Sequence, residues 1–206
     1  MSSPVRLAAF AALFALAACS GGKNATRPDG QSGDEAGNPQ GQNINQTRTE
    51  EEKVIEFDLN HDEKPDVWSF TVEAKTDDGK EYDKLVRKEL DINWDGKVDI
   101  SRAYNDKEQI EREAMDLDFD GKIDQVNFYE KGVLIRKERD LDPKPGPDLW
   151  IFYEKGKIVR KERDSNGDGT IDYWEYWEND QVDRVGEDLD GDGQVDKWTK
   201  NPNSGA

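Results

Sequence analysis

Cysteine and histidine are nearly missing from this chain, with one of each, Cys19 and His61, in 206 residues. A lone cysteine excludes an internal disulfide and a thiolate zinc cluster, so the fold must hold without covalent staples. No Ser/His/Asp set, phosphate-cradling glycine loop or zinc motif accompanies His61. Carboxylate pairs of the kind used on glycosides are numerous, but each clustered pair falls within one of the acidic loops described next. The expectation is therefore a protein that is not an enzyme. Apolar residues are scarce as well, at 33% against 37% charged, and the net charge is −18. That balance excludes nucleic acid and an anionic lipid surface as partners. It also lies close to the composition of chains that stay unfolded, so something besides a large core must neutralise the carboxylates.

What is abundant is aspartate, in a repeated pattern. The series Asp-x-(Asp/Asn)-x-Asp-Gly-x-(Ile/Val)-Asp occurs four times nearly intact. Its oxygen-bearing side chains are Asp91, Asn93, Asp95 and Asp99; Asp116, Asp118, Asp120 and Asp124; Asp164, Asn166, Asp168 and Asp172; and Asp188, Asp190, Asp192 and Asp196. Oxygen donors at alternate positions of a glycine-opened turn suit a hard divalent cation, above all Ca²⁺. A metal-free turn in which each Asp or Asn caps its own backbone has the same residue types. Converging like charges, however, favour a cation between them.

Two further copies are degenerate. The first, with Asp58, Asn60, Asp62 and Asp66, keeps its oxygens but has Glu63 in the glycine place and Lys64 after it. The other, Asp140-Leu-Asp142-Pro143-Lys144-Pro145-Gly-Pro147-Asp148, puts Lys144 where a third carboxylate belongs. It is expected to hold no metal, with Lys144 supplying the charge. The loops begin at Asp58, Asp91, Asp116, Asp140, Asp164 and Asp188, and the last three intervals are 24 residues each. A fixed period of this size marks stacked supersecondary units.

Between loops the residues are β-branched and aromatic, with Lys131-Gly132, Lys155-Gly156 and Asn179-Asp180 midway. Each segment reads as a two-stranded hairpin. The expected register sets Tyr129 against Leu134 and Phe128 against Ile135, then Tyr153 against Ile158 and Phe152 against Val159. The residue two past five of the six loops is Trp68, Val126, Trp150, Trp174 or Trp198, an expected aromatic ladder whose role is core packing or, secondarily, glycan or peptide binding. The fold expected for residues 53–200 is an all-β tandem array of six hairpin repeats, a meander or solenoid, ending in a tail over 201–206.

The loops resemble those of EF-hand proteins. One fits all twelve positions, with the Thr170 carbonyl and Glu175 completing the ligand set. The segments between loops are too short and too cut by turns for paired helices. At the twelfth position the other three intact loops have Arg102, Asn127 and Thr199. The resemblance is thus to the loop, as in thrombospondin type 3 repeats, and the chain looks most like bacterial lipoproteins built of tandem acidic-loop hairpins.

The N-terminus agrees. Arg6, the apolar run Leu7 to Leu16 and then Ala17-Ala18-Cys19 form a secretory signal over 1–18. Its end resembles the lipobox of bacterial lipoproteins, which implies acylation of Cys19 and anchoring to a membrane. Ser20 implies the outer membrane in a Gram-negative cell. Without residues 1–18 the net charge becomes −19, and four Ca²⁺ in the intact loops would bring it to −11. Residues 19–52, polar and glycine-rich, read as a flexible tether with a reach of roughly 30 Å. The functional expectation is a lipid-anchored, extracytoplasmic, calcium-stabilised repeat protein of the cell envelope. The alternative is an adhesive or scaffold module that binds a protein or glycan through its sheet while the loops act as turns.

Overall fold

Alternating β-branched, aromatic and charged residues favour strands, and turns interrupt them every four to ten residues. The computed structural model describes residues 44, 48–142, 144 and 146–202. The signal segment, Cys19, most of the tether and residues 203–206 lie outside the described residues. Twelve strands form: β1 (Lys53–Phe57), β2 (Val67–Lys75), β3 (Glu81–Leu90), β4 (Ile100–Tyr104), β5 (Ile110–Met115), β6 (Gln125–Glu130), β7 (Val133–Arg139), β8 (Leu149–Glu154), β9 (Lys157–Arg163), β10 (Tyr173–Glu178), β11 (Gln181–Glu187) and β12 (Lys197–Lys200). They lie in sequence order in one antiparallel sheet. The fold is an all-β meander, with no helix among the described residues.

Because every connection joins neighbours, the two ends of the sheet differ in kind. All six acidic loops fall at one end, between β1 and β2, β3 and β4, and so on to β11 and β12. The tight turns fall at the other end. There Lys131, Lys155 and Asn179 with Asp180 take positive φ, beside Gly132 and Gly156. This is the turn geometry that matches the right-handed twist of a hairpin.

The register departs from the simple alternation expected. Tyr129 does face Leu134, and Tyr153 faces Ile158. One step further, Phe128 faces Arg136 rather than Ile135, and Phe152 faces Arg160 rather than Val159. A β-bulge sits between the two pairs, and it recurs at the same place in all five hairpins. An extra residue on one strand re-aims the side chains beyond it. In four of the five it brings an arginine opposite an aromatic ring, and in the hairpin of β4 and β5 Arg112 faces Ala103. The Arg87 guanidinium lies 3.8 Å from the Phe70 ring centre, Arg136 4.2 Å from Phe128, Arg160 4.1 Å from Phe152 and Arg184 4.6 Å from Tyr176. Each such contact is worth about 1–2 kcal/mol when partly desolvated. Glutamates two residues on pair with three of the arginines, as Arg87–Glu89 (2.6 Å), Arg136–Glu138 (3.0 Å) and Arg160–Glu162 (3.0 Å).

The expected tryptophan ladder is not continuous. Cross-strand pairing gives the row Trp68, Glu89, Ser101, Ala114, Val126, Glu138, Trp150, Glu162, Trp174, Gly186, Trp198. Five residues from Glu89 to Glu138 therefore separate Trp68 from Trp150, and a single glutamate or glycine separates each later tryptophan from the next. The Trp198 ring meets Tyr176 instead, with centres 5.7 Å apart.

A single sheet has no second layer to bury, so the apolar core is small. Its largest cluster among the described residues is Val98, Ala114, Ile123 and Val126, with Trp68 and Phe128 against them, and Val67, Phe70, Ile100 and Trp150 are buried beside it in the sheet. Ile44 completes it, fully buried, with its amide donating to the Gly121 carbonyl at 3.2 Å. The stretch read as a tether is thus not free throughout. Glu52 also docks, pairing with buried Arg87 at 3.0 Å.

Candidate metal-binding loops

Each loop is built by its own carboxylates. In the second loop Asp91 accepts the Trp94 amide at 2.7 Å on one oxygen and the Gly96 amide at 2.6 Å on the other. Asn93 accepts from Asp95, and Asp95 from Lys97. Asp99 closes the turn by accepting the amides of Ile92 and Asn93. The third, fifth and sixth loops repeat the pattern from Asp116, Asp164 and Asp188. Two positions pay for this wrap with backbone in the left-handed region, which bulky residues seldom enter. The fourth position does so at Trp94 (φ 67°) and Phe119 (φ 66°), the sixth at Gly96 (φ 86°) and Gly121 (φ 92°). The degenerate first loop folds the same way, since His61 and Glu63 adopt φ of 66° and 69° and donate to Asp58.

The wrap leaves carboxylate oxygens converging. Asp116, Asp118 and Asp124 each bring one ligand oxygen within 4.8 Å of the others, as do Asp188, Asp190 and Asp196. Asp140, Asp142 and Asp148 do so too, in the loop expected to hold no metal. These clusters can hold a hard cation through oxygen alone. In the second and fifth loops the third position is Asn93 or Asn166, so the same geometry carries one charge fewer. The fifth-position carboxylates turn toward the backbone. Asp95, Asp120, Asp168 and Asp192 accept the amide two residues on at 2.8–2.9 Å.

The electrostatics differ among loops. Burial pushes the Asp116 carboxyl above its usual range, and Asp124 and Asp120 add to the rise against the amides of Gly121 and Phe119. Burial acts on Asp188 as well, but the amides of Gly193 and Gly191 outweigh it and hold that carboxyl low.

Glu175 does not join its loop. Strand β10 starts at Tyr173, and alternation puts Glu175 on the face opposite Asp172 and Trp174. There it accepts from Trp177 Nε1 at 2.9 Å and lies 3.4 Å from Lys161 Nζ. The same face holds the other twelfth-position residues. Arg102 and Asn127 meet at Glu113, at 2.7 and 2.9 Å. A helix would bring its twelfth residue back under the loop, and a strand carries it to the other side.

Lys144 acts outside its own loop. Its ammonium donates to the Gly167 carbonyl in the fifth loop. Neighbouring loops touch again where Thr170 approaches Gly193. With strands about 4.8 Å apart, successive loops follow one another at about 10 Å along the sheet end. Two features of this arrangement escaped the sequence reading: the arginine row, and the docking of Ile44.

No family model and no curated protein matches the chain. It is similar to part of a chain in a crystal structure of a GtfA/B complex, at 15% identity over 49% of this chain and 19% of that one, with a TM-score of 0.37. It is similar also to a structure of accessory secretory protein 1,2 and 3 in Streptococcus pneumoniae, at 14% identity over 64% and 20%, with a TM-score of 0.34. The chain thus spans about a fifth of the length of either (19% and 20%), and likenesses of this strength carry no argument. The class of protein rests on the fold and its loops: an all-β hairpin meander with carboxylate clusters able to hold metal ions along one end.

Proposed function

We propose that the protein is a calcium-stabilised repeat protein of the bacterial cell envelope, held to a membrane through lipid on Cys19. The observation that carries the metal reading is the convergence of three carboxylate oxygens within 4.8 Å, repeated along one sheet end. Flexible all-oxygen sites of this kind favour Ca²⁺ over Mg²⁺, which demands a tighter octahedron. With so small an apolar core, metal free energy acts here as folding free energy. Exterior calcium is commonly millimolar, so dissociation constants of about 10⁻⁴–10⁻³ M are enough. The envelope location rests on the signal-like N-terminus and the lipobox-like Ala17-Ala18-Cys19. The role is binding and structural rather than catalytic.

Calorimetric titration of the chelated protein with Ca²⁺ tests the metal reading. Heat of binding for about four ions, with a gain of β signal, is expected. The pair Asp168→Ala and Asp172→Ala should remove one ion. No heat, and equal folding in chelator, would leave the loops as turns. Labelling with radioactive palmitate in a bacterial host, lost in Cys19→Ser, tests the anchor.

A further inference from the structure

The two edges of the sheet are the two halves of one repeating unit. Strand β1 bonds to β2 and β12 to β11, and each is an outer edge of the sheet among the described residues. Residues 55–58, Ile-Glu-Phe-Asp, correspond to Lys161-Glu162-Arg163-Asp164, the end of a hairpin's second strand. Residues 196–199, Asp-Lys-Trp-Thr, correspond to Asp148-Leu149-Trp150-Ile151, the start of a hairpin's first strand. Among the described residues the sheet therefore runs from a second half at β1 to a first half at β12.

The backbone shows the same phase. The first aspartate of a loop donates its amide to the last aspartate of the preceding loop in every internal case: Asp91 to Asp66, Asp116 to Asp99, Asp140 to Asp124, Asp164 to Asp148 and Asp188 to Asp172, at 2.8–3.0 Å. The series begins at Asp58 and ends at Asp196. By this alternation Glu56 on β1 and Trp198 on β12 direct their amides and carbonyls outward. Inside the sheet the equivalent residues, Trp150 and Glu162, face each other.

We propose that copies of this chain join head to tail, β12 of one pairing antiparallel with β1 of the next. Asp58 of one copy then donates to Asp196 of its neighbour, and Trp198 faces Glu56 as Trp150 faces Glu162. The acidic loops stay on one side and extend as one row. Charge favours this pairing, because the head-to-tail register puts Lys200 diagonal to Glu56. Glu56 is half exposed, at 3.4 Å from a half-exposed Arg48, so the ion pair there yields easily to a new partner. Apolar side chains wait at both edges, with Ile55 51%, Phe57 47% and Trp198 50% exposed. A heterologous contact of this kind propagates as a filament unless its rotation closes a ring. It stands whether or not the loops hold metal.

The register makes a sharp test. Thr199 of one copy falls opposite Ile55 of the next at a non-hydrogen-bonded position, where Cα atoms are about 4.5 Å apart and a disulfide fits. Full-length chains carrying Cys19→Ser and either Ile55→Cys or Thr199→Cys are mixed and oxidised. A disulfide-linked pair of the two is expected at roughly tenfold the yield of Ile55→Cys with Lys200→Cys, whose side chain points to the other face. The full-length chain with Cys19→Ser alone should gain sedimentation mass with concentration. Equal yields in both mixtures, no cross-linked pair, or a monomer at every concentration would overturn the proposal. So would a chain bearing both Ile55→Cys and Thr199→Cys that closes its disulfide on itself, which would mean the edges meet within one molecule.

Discussion

The third and fourth acidic loops are neighbours of equal length whose carboxylates converge equally well, yet they hold their first aspartate differently. Asp116 accepts two amides at 2.7 Å, from Phe119 at the fourth position and Gly121 at the sixth. In the fourth loop those positions are Pro143 and Pro145, and proline has neither an amide hydrogen nor access to positive φ. Asp140 Oδ1 is buried and finds no hydrogen-bond partner among the described residues. Burial raises its carboxyl, Asp148 and Asp142 raise it further, and the amides of Asp142 and Gly146 oppose them only in part. Closing is conserved between the two, with Asp148 accepting Leu141 and Asp142 as Asp124 accepts Leu117 and Asp118. The last aspartate is enough to gather a loop, and the first decides how much backbone is tied to it.

That difference breaks most visibly under alanine. Asp116→Ala strands two amides at once and should cost about 2 kcal/mol or more in urea unfolding with chelator present. Asp140→Ala removes a carboxylate that takes no amide from the fourth or sixth position and has one oxygen without a partner among the described residues, so it should cost about half as much or less. Equal losses would mean that the amide wrap is not what stabilises these loops.

Restoring the wrap sharpens the same point. Pro143→Gly with Pro145→Gly supplies the missing amides, which favour the ionised carboxylate, so Asp140 should titrate at lower pH by carboxyl carbon NMR. A raised folded value means that Asp140 contributes stability below its unfolded value, and that this is lost as pH rises through the folded one. In chelator the loss should shrink in the double variant, although freeing two prolines costs about 1 kcal/mol through the unfolded chain.

The contrast was half legible in the sequence. The aspartate spacing showed where loops lie, and the Lys-Gly pairs showed where hairpins turn. In the fourth loop the missing carboxylate is plain in the sequence, but that two of the prolines stand at amide-donating positions shows only beside the wrap of the intact loops. Glu175 was misplaced because loop spacing says nothing of the strand alternation that follows. The bulge was not foreseen, since Ile135 and Val159 look like ordinary strand residues. One signal was present: Arg87, Arg112, Arg136, Arg160 and Arg184 recur at the loop period, and a charge that regular within strands has a partner.

At the opposite end of the sheet a turn can be weakened without touching a carboxylate. Gly132 has φ 78° and nothing within 4 Å of an added Cβ, so Gly132→Ala meets conformational strain alone. A loss of about 1 kcal/mol is expected, with unchanged cation binding. A change in binding would mean that the two ends of a hairpin are coupled.

The smallest effect concerns the cation that the fourth loop supplies to the fifth. Lys144 is exposed and donates to the Gly167 carbonyl, so Lys144→Met should cost no more than about 0.5 kcal/mol. Its charge matters more than its bond. Lys144 adds to the amide of Thr170 and the side chain of Asn166 in keeping Asp168 below the usual carboxylate range. A positive charge there also opposes a second cation in the same loop. Removing it should tighten Ca²⁺ at the fifth loop by a few-fold at low ionic strength, an advantage that fades as salt screens it. Unchanged affinity would place the cation away from the Lys144 side of Asp164, Asn166 and Asp168, and would show that the fourth loop influences the fifth by contact alone.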